Sequence, residues 1–140
     1  MSSFAAPRSA LYAATLLRVS LAVMWIAHGL LKWVVFTLPG SAAFFESVGL
    51  PGFLAYVVTF TEIGGGIAML LGVYARQIAL ALVPIVLGAA WVHFPNGWVF
   101  TAPNGGWEYP VFLALMSVVS WLLGDGLFAL RRSARLAPAA

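Results

Sequence analysis

The stretch YAATLLRVSLAVMWIAHGLLKWVVF, residues 12–36, decides the fold. About 20 consecutive apolar residues in a helix cross the hydrocarbon core of a bilayer, and this stretch exceeds that length. Its basic side chains, Arg18, His28 and Lys32, are too few to prevent insertion. A cleaved signal peptide would have a shorter apolar region and a small-residue cleavage site. We therefore expect a retained membrane-spanning helix.

The composition of the whole chain is typical of an integral membrane protein. Of its 140 residues, 63% are hydrophobic and 8% are charged, whereas a soluble domain has about 25% charged residues. The absence of cysteine excludes disulfides, thiolate metal sites and covalent haem attachment. The net charge of +3 forms no basic surface that would bind nucleic acid.

Four apolar segments predict four transmembrane helices, at about 12–36, 52–73, 78–94 and 109–130. Because the connections are short, the helices should form an antiparallel bundle that is a single domain over residues 1–140. The segment SAAFFESV, residues 41–48, is too short to span and predicts a short interfacial helix in the first outer loop. Gly64, Ala68 and Gly72 form a small-residue stripe that predicts close helix packing.

The positions of the loop cations predict the orientation of the chain. Cytoplasmic loops of membrane proteins carry an excess of Lys and Arg. The connections 37–52 and 95–108 contain neither residue. The loop cations lie before the first span, between the second and third, and after the fourth: Arg8, Arg76, Arg131, Arg132 and Arg135. We therefore expect both termini in the cytoplasm.

Polar side chains within the spans form the candidate site. At 100° per residue, the polar positions of the first span share one helix face within an arc of about 80°. Intramembrane charges usually face inward and are paired. With alternating helix directions, all but the deeper Arg18 should converge in the outer half of the bundle. The candidate residues are Arg18, Trp25, His28, Lys32, Glu62, His93 and Glu108.

Such a pocket suits a lipid-soluble ligand with a polar head group, and a quinone fits this description. Glu62 and His28 are the candidate catalytic residues, because a quinone exchanges protons when it is reduced or oxidised. The remaining five, including Lys32, would bind the ligand. Haem or metal ligation is disfavoured, because two histidines are the minimum and no local ligand motif is present.

Other functions fit the same residues. Glu62 paired with Lys32 or Arg18 would serve equally in a non-catalytic membrane anchor or assembly subunit, where ion pairs only fix helix packing. A transporter of a small solute or lipid is a further alternative. Without cysteine or a nucleotide motif, an oxidoreductase of this kind would need a redox partner protein or a soluble electron donor. Assembly into a homo-oligomer is a further alternative that the sequence leaves open.

The chain resembles the DoxX family of small bacterial and archaeal membrane proteins. The resemblance is carried by Arg18 followed by HGLLK (28–32), FFESVGLPG (44–52), TEIGGGIAMLLGVYAR (61–76), and His93 followed by NGGWEYP (104–110). Gly124 and Gly126 stand where the family commonly has Gly-Pro-Gly, with Asp125 as the middle residue here. The order and spacing of these motifs over about 110 residues carry the match.

The resemblance implies a four-helix membrane bundle in the cytoplasmic (inner) membrane and a link to redox metabolism. The family is named after a subunit associated with a thiosulfate:quinone oxidoreductase, and other members are linked to membrane complexes that handle oxidative and thiol stress. The expected function is therefore a membrane-embedded component of a quinone-linked oxidoreductase system. Its cofactor would be a quinone or quinol, and its partners the lipid bilayer and a source of electrons.

Overall fold

The computed structural model describes residues 6–134, and this part of the chain is helical without a β-strand. Three helices are long and apolar enough to cross a membrane, which makes the chain a multi-pass membrane protein. A fourth apolar helix, at the C-terminal end, is shorter. The helices are α1 (Arg8–Leu30), α2 (Leu38–Ser47), α3 (Phe53–Leu71), α4 (Ala75–His93) and α5 (Glu108–Leu123). The predicted loop cation Arg135 lies outside the described residues.

Each long helix buries one narrow stripe and exposes apolar side chains elsewhere. On α3 the buried positions alternate between spacings of four and three residues, which keeps them on one face. They are Ala55, Thr59, Glu62, Gly66 and Met69. The corresponding stripe on α1 is Ala14, Arg18, Leu21, Ala22, Trp25 and Gly29. Both stripes contain a charged residue, so polar groups occupy interior positions that apolar residues would fill in an ordinary core.

Glycines bring α1 and α3 into close contact. A Cβ atom on Gly66 would lie 3.0 Å from the backbone oxygen of Ala22, and one on Gly29 would lie 3.1 Å from that of Thr59. The predicted stripe is wrong at Gly64, where a Cβ atom would meet nothing within 4 Å. The helices therefore approach at Gly66, because the buried face of α3 is the one that carries Glu62.

The helix limits differ from the predicted ones where the backbone turns. The helix α4 begins at Ala75, within the stretch expected to form the turn, so that the turn is confined to residues 72–74. Gly72 ends α3 with a positive φ of 68°. The last helix ends at Leu123 rather than at residue 130, because Gly124 leaves the helical conformation with φ 89°. The first span continues beyond α1 as a π-helical turn, Leu31–Val35.

Residues 124–134, here called the C-terminal segment, fold back over the turn between α3 and α4. The Leu130 amide donates to the Leu71 carbonyl (3.1 Å), and the Arg131 amide donates to the Gly72 carbonyl (3.0 Å). In return, the Tyr74 amide donates to the Arg131 carbonyl (2.9 Å). These bonds satisfy backbone groups at the end of α3 that have no partner within the helix.

Candidate functional site

Lys32 and Glu62 form an ion pair between the first span and α3. The Lys32 Nζ atom lies 2.7 Å from Glu62 Oε2 and 3.0 Å from Oε1, so the ammonium group contacts both oxygens. The side chain of Glu62 is 5% exposed and that of Lys32 is 21% exposed. Lys32 belongs to the π-helical turn, a local irregularity that often marks functional positions in helices. Lys32 therefore compensates the charge of the buried Glu62 carboxylate.

His28 lies one turn before Lys32 and is held by two contacts. Its Nδ1 atom lies 2.8 Å from the Met24 carbonyl oxygen. Because a carbonyl only accepts hydrogen bonds, this contact assigns the proton to Nδ1 and leaves Nε2 with a free lone pair in the neutral ring. The ring stacks on Tyr109 of α5, with 5.8 Å between centroids. His28 is thus oriented by α1 and α5 and is equipped to accept a proton.

Five of the seven predicted site residues line one cavity of about 590 Å³, here called the polar cavity. They are Trp25, His28, Lys32, Glu62 and His93. The other walls are mainly apolar and come from α2, α3, α4, α5 and the adjoining loops; they include Phe45 of α2, Val58 of α3 and Leu113 of α5. Of the five polar residues expected to converge, four share this cavity, whereas Glu108 does not line it.

Two donors at the polar cavity have no hydrogen-bond partner among the described residues. Trp25 Nε1 and the Tyr109 hydroxyl are buried and unpaired. Buried polar groups are hydrogen-bonded in the great majority of proteins, and each exception calls for an explanation. Both donor atoms are closed off from the cavity surface, so a ligand that carries hydrogen-bond acceptors would pair with them once the Trp25 and Tyr109 side chains shift. Sequence reasoning did not single out Tyr109, although its position next to Glu108 at the start of the fourth span was a usable signal.

His93 contacts the loop that closes this end of the structure. Its Nδ1 atom lies 3.4 Å from Asn96 Nδ2. The same amide nitrogen donates to the carbonyls of Gly105 (2.8 Å) and Asn104 (3.2 Å). Asn96 therefore ties the end of α4 to the glycine-rich stretch before α5. His93 lines the polar cavity from α4, opposite the α1 residues.

Glu108 acts on the loop rather than on the polar cavity. Its Oε1 atom accepts a hydrogen bond from the Phe100 amide (2.9 Å). Phe100 lines the polar cavity and also a second cavity of about 730 Å³, here called the apolar cavity, which Glu108 borders as well. Glu108 is therefore placed to position Phe100, and this function could not be predicted because it depends on the path of the loop.

Arg18 lies away from both cavities, at the opposite end of the structure. It is 2% exposed, and its Nη2 atom donates to the Leu127 carbonyl (3.1 Å). A Cβ atom on Gly72 would collide with Nη1, so the guanidinium group lies directly over that glycine. The predicted part of Arg18 in ligand binding finds no support in this geometry, because its contacts are with the C-terminal segment.

Asp125 organises the same end of the molecule. The sequence analysis noted it only as the residue between Gly124 and Gly126, but it is buried. Its Oδ1 atom accepts hydrogen bonds from the Arg76 amide at the start of α4 (3.0 Å) and from the Ser133 hydroxyl (2.8 Å). The Ser133 amide donates to Oδ2. The carboxylate thus joins the first turn of α4 to the C-terminal segment.

The described residues contain no group of three or more His, Asp or Glu side chains that could hold a metal ion. A compensated ion pair and two unpaired donors suit an uncharged ligand with oxygen acceptors. The apolar walls suit a ligand that dissolves in lipid. The arrangement can bind such a molecule and exchange protons with it.

Comparisons with known proteins give a family and one curated relative. The family described as DoxX matches residues 13–95. A protein of Bacillus subtilis (strain 168) named "Putative oxidoreductase CatD" is 35% identical over 74 residues, which cover 53% of this chain and 54% of that protein. The chain thus spans about half the length of the curated relative it matches. No solved structure matches the chain.

Proposed function

The chain belongs to the DoxX family, and on that premise we propose that it is a membrane component of a quinone-linked oxidoreductase system. It would bind a quinone or quinol in the polar cavity. The observation that carries the proposal is the cavity itself, in which Glu62, Lys32 and His28 meet between apolar walls. The Bacillus subtilis relative, which is named "Putative oxidoreductase CatD", supports the redox assignment.

The residues present fit a quinone head group. Its two carbonyl oxygens need donors, and Trp25 Nε1 and the Tyr109 hydroxyl are buried donors without partners. A quinone supplies two-electron chemistry in which the carbonyls gain or lose protons. His28 Nε2 and Glu62 are the groups that would exchange those protons, with Lys32 holding the carboxylate in place.

The electrons would come from outside this chain, because a chain without cysteine has no thiol to oxidise. We propose a redox partner protein or a soluble donor as their source. The bound quinone would then link that donor to the membrane pool.

The membrane arrangement forms part of the same proposal. The helix α5, with 16 residues, would be the fourth transmembrane helix of an antiparallel bundle, completed by the loop residues that flank it. The helix α2 would lie on the outer surface of the cytoplasmic membrane. The polar cavity would open in the outer half of the bilayer, with both termini in the cytoplasm.

Quinone binding by the purified protein in mild detergent tests this function. Glu62→Gln and His28→Ala should each weaken the binding of a decyl-substituted benzoquinol, because its hydroxyl groups can donate to the Glu62 carboxylate and to His28 Nε2. For Glu62→Gln the loss should be about tenfold or more, since a hydrogen bond to a charged group contributes about 1.5–3 kcal/mol. Glu46→Gln makes the same chemical change on the exposed face of α2 and should leave binding unaltered. Unchanged binding in both cavity variants would reject the site.

A non-catalytic anchor is the second candidate, since Lys32 and Glu62 satisfy each other without a ligand. In that case the ion pair would only fix the packing of the first span on α3. Glu62→Gln would then lower the melting temperature and leave any bound quinone unaffected. If Glu62→Gln lowers the melting temperature and also weakens quinone binding, the result would favour the quinone site.

A further inference from the structure

The polar and apolar cavities share one wall. His28, Phe100 and Tyr109 line both of them. On one side of this wall lie Lys32 and Glu62. On the other side the apolar cavity is lined mostly by hydrophobic side chains of α1, α5 and the loop before α5: Met24, Trp98, Val111, Phe112 and Leu115. The stacked His28 and Tyr109 rings therefore lie where a polar compartment adjoins an apolar one.

The apolar cavity lies on a face that the bilayer would cover. Phe112 and Leu115 are 57% and 56% exposed, and a surface of this kind on a membrane-spanning helix contacts hydrocarbon. The cavity lies between α1 and α5, so a chain that occupied it would remain in contact with lipid. Glu108 borders this cavity, but its Oε1 atom is engaged by the Phe100 amide.

The polar cavity, in contrast, selects an uncharged head group. Lys32 is neutralised by Glu62 at 2.7 Å, so it is not free to bind an anion. The donors that lack partners, Trp25 Nε1 and the Tyr109 hydroxyl, are neutral. A carbonyl or hydroxyl oxygen is the acceptor they match, whereas a phosphate or carboxylate would meet the Glu62 carboxylate.

We propose that the ligand is a neutral amphiphile whose oxygen-bearing ring lies in the polar cavity against Tyr109. Its hydrocarbon chain extends alongside the His28 and Tyr109 rings into the adjoining apolar cavity. This inference rests on the proposed function and specifies its substrate class as quinones with an apolar side chain. Tyr109 binds the head group, and the α1–α5 face that includes Leu115 binds the chain.

Two probes with the same ring test the proposal: a benzoquinone without a side chain and the same benzoquinone with a decyl chain. Leu115→Trp fills the apolar cavity and should weaken binding of the decyl compound about tenfold or more. Binding of the compound without a chain should stay within about twofold of the wild-type value. Leu122→Trp, also on an exposed position of α5 but outside both cavities, should change neither affinity.

The outcomes separate this inference from the proposed function. If Leu115→Trp affects both probes equally or neither, the chain does not occupy the apolar cavity, while the polar cavity stands as a quinone site. If the wild-type protein binds neither probe, the proposed function fails and this inference fails with it. If phospholipid in the micelles removes the preference of the wild-type protein for the decyl compound, the cavity is a general lipid site and the inference is overturned.

Tyr109→Phe tests the head-group contact and is expected to fold. The hydroxyl has no partner in the structure, so its removal breaks no hydrogen bond and relieves the cost of an unsatisfied buried group. Both probes should bind about threefold to tenfold more weakly, with a melting temperature equal to or above that of the wild type. Unchanged affinity for both probes would show that Tyr109 does not contact the ligand.

Discussion

At the scale of single residues, the Lys32–Glu62 ion pair places two charged groups in an apolar interior. A charged group within a bilayer costs a few kcal/mol on insertion scales, and it persists where it is paired or has a function. Glu62 is 5% exposed and accepts both of its short hydrogen bonds from Lys32. Loss of Lys32 would leave the carboxylate without a cation in an apolar surrounding, and loss of Glu62 would do the same to the ammonium group.

Glu62→Gln should therefore lower the free energy of unfolding by about 3 kcal/mol, at the low end of the range for breaking a buried pair. We expect the low end because the Lys32 side chain lines the polar cavity and is 21% exposed, so its ammonium group is not fully buried when Glu62 is lost. Thermal melting in detergent measures the change. The double variant Lys32→Met/Glu62→Met should recover most of the stability, since two apolar side chains replace the pair, yet should not bind quinone. A double variant as unstable as Glu62→Gln alone would contradict this account.

The sequence predicted this gathering of residues because helices are periodic. His28 and Lys32 are four residues apart, and alternating helix directions bring Glu62 and His93 to the same end. Tyr109 and Phe100 were not predicted, since their positions depend on the loop before α5. The carbonyl partner of Arg18 was not predicted either, because it comes from irregular backbone 109 residues away in the sequence.

At the scale of elements, the C-terminal segment holds one end of the molecule together. It pairs with the end of α3 through backbone hydrogen bonds, and with α1 through Arg18 and through Thr15, whose hydroxyl accepts from the Leu127 amide at 2.7 Å. Gly72 lies at the centre of these contacts, beneath Arg18 and against Ala129. The segment therefore acts as a clamp on the turn between α3 and α4.

Gly72→Ala should destabilise the protein strongly. The φ of 68° disfavours a side chain by about 1–2 kcal/mol, and a Cβ atom would also collide with Arg18 and Ala129. We expect a loss of about 2–4 kcal/mol in thermal melting, together with faster proteolysis of the C-terminal segment. Gly64→Ala is the matched control, because a Cβ atom there meets nothing and the residue lies within α3. It should be neutral or stabilising by up to about 1 kcal/mol. Equal effects would refute the proposed clamp.

The elements themselves show which parts of the fold a sequence can reveal. Hydropathy identified the long helices, since length and apolar composition are local properties. The end of α5 and the course of the C-terminal segment were missed, because leucine-rich residues after Gly124 continue the apolar pattern without continuing the helix. Asp125 was missed for the same reason: its partners, Arg76 and Ser133, come from a different element and from the fold-back itself.

At the scale of the whole molecule, the two ends differ in charge and in chemistry. The end that contains Arg76, Arg131 and Arg132 is clamped by backbone hydrogen bonds and carries the loop cations. The opposite end holds the polar cavity, the loop before α5 and the exposed aromatic residues Trp98 and Phe100. An excess of cations marks the cytoplasmic side of membrane proteins, so the polar cavity should face the outer side.

Single cysteines can test this orientation directly, because the natural chain has none and needs no background substitutions. Thr101→Cys lies in the loop before α5, and Gln77→Cys lies in the first turn of α4; both positions are exposed. A membrane-impermeant maleimide should label Thr101→Cys in intact cells or spheroplasts and should label Gln77→Cys only after the membrane is permeabilised. The reverse pattern would place the cations outside, and the polar cavity would then open towards the cytoplasm. Because the cavity draws on α1, α3, α4 and α5 at one end only, this single measurement decides from which side protons reach His28 and Glu62.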